Sequence, residues 1–466
     1  MRSRVGNTVY TASLTLVIVC GTTLSAEETE LDKYVTQPDP SYRWEFVKID
    51  QQPRLTTMVI DMTSQTWRSP QEVNQPTWRH WLIVSRPEKV TSETALLFIS
   101  GGKNGSDPPD GPDKRMAELA LASQSVVATL LMVPNQPLVF HGDGKKRVED
   151  DLVAYTWVQF LKTGDPTWPA RNPMVKSAVR AMDTITEALA TREGGRLTVD
   201  QFVVAGGSKR GWTTWLTGAI DSRVRAIVPI VIDVLNVEES MRHHYASYGF
   251  WAPAVHDYVE QRIFEQMGTE EMARLVALVD PYHYRNRLKM PKFILNAAGD
   301  QFFLPDSSQF YFDQLQGDKY LRYVPNADHS LDGSDAVESL LAFYLTVLRG
   351  KPRPSITWSF EPDGTIRVKS QTAARSVTLW QATNPDARDF RLETLGAKYV
   401  ATQLTAQADG SYAARPDPPT RGWTAYFVEM AFDIGERVPF KQTTAVRVIP
   451  DRLPFQDKDP RTAVSQ

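Results

Sequence analysis

Three residue types able to do acyl-transfer chemistry recur in one setting in this chain. Ser208 follows the apolar run Phe202-Val203-Val204-Ala205 through Gly206-Gly207. Asp300 follows 292–297 (KFILNA) through Ala298-Gly299. His329 follows the strand-like run 320–324 (YLRYV) through Pro325-Asn326-Ala327-Asp328. A serine hydroxyl is a weak nucleophile until a neighbouring base takes its proton, and an imidazole held in one tautomer by a carboxylate is such a base. Nucleophile, acid, base in that chain order, each at the end of a buried-type strand, predicts a Ser-Asp-His triad of Ser208, Asp300 and His329. Asp233 is the alternative acid, because it also ends an apolar run, 226–232.

The stretch around Ser208 predicts a strand, a tight turn with the serine at its apex, and a helix from about Thr213. That layout is a nucleophile elbow. The spacing departs from G-x-S-x-G: Arg210 stands where the second glycine belongs, and Gly211 comes one residue late. A bare G-x-S also reads as a glycine turn with Ser208 capping the next helix. For the oxyanion, the backbone N–H of Lys209 and one from the Gly102–Lys103 turn are the candidate donors, since glycine lets a backbone approach a substrate closely. Arg210, Trp212 and Phe302 are candidates to contact substrate. The Lys209 and Arg210 side chains either face an anionic or carbonyl group of the substrate or pair with a nearby carboxylate.

These residues need a frame. Segments 44–50, 55–66 and 81–87 read as antiparallel opening strands, with His80 as a structural residue beside them. Runs 94–100, 126–133, 202–205, 226–232, 292–297 and 320–324 read as buried parallel strands, and 116–123, 149–161, 174–190 and 335–348 as helices. The expectation is α/β: a mostly parallel mixed sheet with helices on both faces, over 40–350. Residues 234–288 are polar, aromatic and helical in pattern, an insertion placed to form a lid. Within it, His243 and His244 are adjacent on a helix and point apart, so they are not read as a metal site; no metal and no cofactor is expected. Glu149-Asp150-Asp151 reads as first-turn charge at a helix start. After a linker at 351–354, short alternating runs over 355–450 predict an Ig- or fibronectin-like antiparallel β-sandwich.

The chain has 466 residues and a net charge of −3, with no basic surplus to suggest a nucleic-acid partner. Arg2, Arg4, an apolar stretch and small residues up to Ala26 form a secretory signal pattern over 1–26. Cleavage there removes two arginines and no acid, so −3 becomes −5, and it removes Cys20, the single cysteine. A lipid anchor on Cys20 is the competing reading, and Val19 fits it poorly. No other apolar run is long enough to span a bilayer, so a secreted or periplasmic location is expected.

The runs GGSKRGWTTWLTGAIDSRVRAIVPIVIDVLN, MTSQTW (62–67), VPNQP (133–137), EDDLVAYTW (149–157), GDQFFLPDSS (299–308), PNADHS (325–330) and GWTAYFVEMAF (422–432) resemble the PhoPQ-activated pathogenicity-related protein family. The resemblance spans about 35 to 450. It implies an α/β-hydrolase fold in a secreted bacterial protein, and it says more of fold than of reaction. Ser208, Asp300 and His329 fall on its motifs, and the S-K-R-G elbow is the family's own form. Over a few residues the elbow also resembles that of glucuronoyl esterases. Together these features predict a secreted serine hydrolase acting on an ester or amide, polysaccharide-linked or peptide-like, with carboxylic-ester hydrolysis favoured. A serine peptidase or amidase, or a hydrolase-derived binding protein without turnover, are the alternatives.

Overall fold

The computed structural model describes residues 28–462. The expected leader and Cys20 lie outside the described residues. Among those described, no helix is long and apolar enough to cross a membrane.

A short helix, α1 (Glu30–Thr36), opens the chain with a reciprocal Thr29–Asp32 capping box. Nine strands then build one sheet: β1 (Arg43–Gln52), β2 (Leu55–Thr66), β3 (Thr77–Pro87), β4 (Thr94–Ile99), β5 (Val127–Leu130), β6 (Gln201–Gly207), β7 (Val224–Ile230), β8 (Lys292–Ala297) and β9 (Lys319–Val324). Their spatial order is β1-β2-β3-β5-β4-β6-β7-β8-β9. β1, β2 and β3 pair antiparallel, as does β3 with β5. From β5 across to β9 every pairing is parallel. The parallel strands are mostly apolar because both faces are covered.

Helices α2 (Lys114–Ser123), α3 (Glu149–Thr163), α4 (Arg171–Ala190), α5 (Lys209–Ile220) and α9 (Ala336–Leu348) supply that cover, while α6 (Val237–Tyr248), α7 (His256–Glu260) and α8 (Glu270–Val279) are inserted between β7 and β8. Leu97, Val204 and Ile227 share one core with Trp157, Met182 and Trp215, from α3, α4 and α5. Leu96, Val203 and Val228 point the other way, to Leu119 of α2 and Phe343 of α9. Starts and ends differ from the sequence reading by one to three residues for most of these elements. Position 80 is inside β3, where His80 is fully buried, with Nε2 3.0 Å from Ser64 Oγ and Nδ1 3.1 Å from the Leu131 carbonyl. Burial pushes its pKa down to about 4.

The C-terminal part holds two antiparallel sheets. β10 (Ile356–Phe360), β11 (Ile366–Ser370) and β14 (Tyr412–Ala414) form one. The other contains β12 (Ser376–Asn384), β13 (Val400–Gln403), β15 (Trp423–Phe432), β16 (Phe440–Thr443) and β17 (Arg447–Ile449). The sequence pattern did not mark β13, β14 and β16. β13 is exposed along its whole length and β14 has three residues, so neither carries a usable alternation. One turn, α10 (Leu392–Leu395), joins β12 to β13. Ile366 and Val368 of the smaller sheet meet Leu379, Val428 and Met430 of the larger one in the same core as Phe343. The two halves of the chain are therefore packed into one interior, and 351–354 is a pinned connection rather than a free linker. Arg353 pairs with Asp318 at 2.9 Å, and Gln442 donates to the Pro354 carbonyl at 2.8 Å.

Charge reinforces that junction. Arg322 of β9 is buried and pairs with Glu429 of β15, and with Asp335 at the start of α9 at 3.0 Å. Lys441 of β16 completes the cluster through Asp335 at 2.6 Å. Removing one partner of a buried pair leaves the other charge uncompensated. Glu429→Ala leaves Arg322 with Asp335 as its remaining partner and is expected to lower unfolding free energy by about 1–3 kcal/mol, read by urea denaturation; a loss near zero would mean that Asp335 alone compensates Arg322.

Candidate active site

Strand β6 runs straight into α5 with one residue between them. That residue, Ser208, has φ 55° and ψ −128°, a conformation sparsely populated by side-chain-bearing residues. Its backbone is held at both ends: its N–H donates to the Ile230 carbonyl at 2.8 Å, and its carbonyl accepts from Trp212 N–H at 3.0 Å. The side chain caps no helix N–H, so the helix-cap reading of Ser208 is corrected. The late glycine has a steric reason. A Cβ on Gly211 would lie 2.8 Å from the Gly206 carbonyl and 2.9 Å from that of Ile230. A Cβ on Gly206 would lie 2.8 Å from the Arg210 carbonyl. Close helix-on-strand packing thus falls on residues 206 and 211, and position 210 is left open to a long side chain.

Arg210 uses that opening. Its guanidinium grips Glu149 with two hydrogen bonds, 2.6 and 2.7 Å, and donates to the Val133 carbonyl at 2.6 Å. Lys209 Nζ lies 2.8 Å from Glu149 and 2.9 Å from Asp150. Both cations of the elbow are therefore committed to carboxylates at the start of α3. Of the two alternatives open in the sequence, the structure shows the ion pairs. Burial raises the Glu149 pKa, but the Arg210 and Lys209 contacts outweigh it and hold the carboxyl at about 2. Gln136 closes the network: its Nε2 donates to Glu149 Oε1 at 2.5 Å, and its Oε1 accepts the Glu149 N–H at 2.7 Å. Neither Glu149 nor Gln136 was assigned a site role from sequence. The available signal was their place in the VPNQP and EDDLVAYTW runs.

At the same edge of the sheet, His329 Nδ1 is 2.8 Å from Asp300 Oδ2. The other Asp300 oxygen accepts the Phe302 N–H at 2.7 Å. Gln301 Oε1 accepts the His329 N–H at 3.0 Å, and Phe302 packs on the imidazole at 4.3 Å between centroids. His329 Nε2 is buried and no described group lies within hydrogen-bond distance of it. Asp233 is elsewhere engaged: Tyr311 donates to it at 2.6 Å, and Tyr323 donates to its other oxygen. Its full burial raises its pKa to about 7 despite those bonds.

Two loops carry Asp300 and His329, and the C-terminal part braces both. Leu392 N–H donates to the Gly299 carbonyl at 2.9 Å. Asn326 and Tyr399 exchange a reciprocal pair of bonds, 2.8 and 2.9 Å. The inserted helices are tied in as well. His243 Nε2 meets Asp306 at 3.0 Å, and Arg388 binds Asp306 and, at 3.0 Å, Ser247. His244 Nε2 accepts the Ala252 N–H at 3.1 Å, so the two histidines do point apart.

Ser208 opens on a cavity of about 50 Å³ whose walls include Lys209, Trp212, Phe302 and Phe303. Gly102 and Lys103 are not part of its lining. They follow β4 beside β6, bound to the 132–136 segment through the Gly101 and Gly102 carbonyls. It is Gly101 that meets the elbow, where an added Cβ would lie 2.7 Å from the Arg210 guanidinium. Arg171, buried, was missed by sequence reasoning. Its NH1 donates to the Lys209 carbonyl at 3.0 Å, and its guanidinium lies 4.4 Å from the Trp212 ring.

A mixed sheet with six parallel strands, helices on both faces and a serine at a strained strand-to-helix turn defines an α/β-hydrolase fold. The chain belongs to the PhoPQ-activated pathogenicity-related protein family, whose model matches residues 31–391. It is 36% identical over 473 residues to the autocrine proliferation repressor protein A of Dictyostelium discoideum, with 95% of each covered. Among solved structures it is similar to acetyl xylan esterase 1 from Thermoanaerobacterium sp., with a TM-score of 0.48, 15% identity, and 68% and 93% of the two chains covered. It is also similar to glucuronoyl esterase from Solibacter usitatus, with a TM-score of 0.38, 14% identity, and 67% and 86% covered.

The Glu149 network has a pH signature. Its folded pKa is depressed, so its stabilisation is complete above the ordinary carboxylate value of 4.5 and is lost as pH falls toward about 2. Glu149→Gln is expected to cost roughly 2 kcal/mol at pH 7, and the gap from wild type should shrink as the pH is lowered below 4.5. Urea midpoints across that range measure it, and a gap independent of pH would remove the ion pairs as its cause.

Proposed function

We propose that this protein is a serine hydrolase that cleaves carboxylic esters through an acyl-enzyme on Ser208. The observation that carries the reading is the Asp300–His329 hydrogen bond at the same sheet edge as the strained Ser208 turn. In this reading Ser208 Oγ attacks the ester carbonyl while its proton passes to His329 Nε2, the ring nitrogen opposite the one bound to Asp300. The tetrahedral oxyanion takes the N–H of Lys209, a first-turn amide that the helix itself leaves without an acceptor. A second donor comes from the 101–103 turn. Collapse breaks the bond to the leaving alcohol, which departs with the proton from His329. Water then attacks the acyl carbon, gives its proton to the same nitrogen, and the acid leaves as Ser208 is restored.

Asp300 fixes the imidazole and stabilises its cation during both steps. Arg210 acts as an anchor of the elbow, and Trp212 and Phe302 shape the cavity. Helices α6 to α8 serve as the lid, and the C-terminal sheets form a sandwich domain that stiffens the loops of the acid and base. Ester cleavage is favoured over amide cleavage because an alcohol needs less activation as a leaving group. Export after removal of a leader at 1–26 completes the reading.

Fluorophosphonate labelling with mass mapping tests it: the adduct is expected on Ser208 and absent in Ser208→Ala. Asp300→Asn should lower kcat on an aryl ester by a factor on the order of 10³–10⁴, and Asp233→Asn should stay near wild type. No adduct on folded protein, or equal losses in the two aspartate variants, would overturn the assignment.

A further inference from the structure

We infer that the acyl group accepted at Ser208 is short, of acetyl to propionyl size, and that the inserted helices set this limit. The inference rests on the reading of Ser208 as nucleophile and goes on to name the substrate class. The cavity at Ser208 measures about 50 Å³. A cavity of about 150 Å³ holds a benzene ring of six carbons. In proportion, the space here takes roughly two or three carbons.

Its position identifies it with the acyl side of the ester. The leaving oxygen must reach His329 Nε2, and His329 does not line the cavity, whereas Phe302 and Phe303, which pack on the imidazole, do. The group that stays bonded to Ser208 is thus the one with access to it. Part of the lining is rigid: Trp157 and Trp212, from α3 and α5, meet edge to face at 6.0 Å, and the Arg171 guanidinium covers Trp212. The inserted segment contributes Val237 and Met241 of α6, Val255 and Phe264.

The test holds the leaving group constant, so that only the acyl side varies. Wild-type protein is assayed with p-nitrophenyl acetate, butyrate and octanoate, alongside labelling of Ser208 by a small fluorophosphonate. The expected result is kcat/KM at least about tenfold higher for acetate than for octanoate. Met241→Ala removes three heavy atoms from the α6 wall and should raise the butyrate-to-acetate ratio several-fold. Its Ser208 labelling reports that the elbow is still folded. Equal kcat/KM for acetate and octanoate, or labelling without turnover of the acetate, would overturn the short-acyl inference while leaving Ser208 as nucleophile. Absence of both labelling and turnover would overturn the two together.

Discussion

The structure around Ser208 depends on one carboxylate. Glu149 accepts from Arg210 and Lys209 on the elbow and from Gln136 on the loop after β5. Two cations on consecutive residues, both largely buried, would otherwise be intolerable at the start of a helix, where the backbone is already electropositive. With Glu149 and Asp150 supplied by α3, the same charges become a clamp. That clamp holds α3 and the turns after β4 and β5 to the start of α5. The strained geometry of Ser208 persists because its surroundings are over-determined in this way.

A second set of constraints governs the other half of the site. Asp300 and His329 stand on separate loops, and a loop alone is a poor platform for a hydrogen bond that must stay near 2.8 Å. The C-terminal part supplies the missing rigidity through Leu392 and the Tyr399–Asn326 pair. Arg388 does the same for the inserted helices through Asp306. These contacts run alongside an apolar interior shared by α9, β9 and both C-terminal sheets. The sandwich is thereby part of the site's support, which explains why it cannot be regarded as a tethered accessory.

The distribution of titratable groups follows the same logic. Buried groups without a charge partner, such as Asp233 and His80, are pushed toward their neutral forms. Glu149, half-buried between two cations, is pushed toward its charged form. Asp233 lies past the end of the central strand β7, deep in the fold, and its carboxylate is occupied by two tyrosine hydroxyls rather than by the imidazole.

Local pattern in the chain is enough for most of the elements and for their class. Mostly apolar runs of strand length, alternating with amphipathic stretches, bury both faces best in a mostly parallel sheet, and the order Ser208, Asp300, His329 was legible because each follows such a run. The short edge strands β13 and β14 were not legible, since exposed or three-residue strands leave no periodicity. Relations between residues far apart in the chain emerge with folding. Which aspartate meets His329, what Lys209 and Arg210 point at, and why glycine is needed at 211 instead of 210 all depend on contacts between separate elements. Local sequence encodes propensity and pattern, but the partner of a buried charge is chosen by how the elements pack, and that information is in no single stretch of the chain.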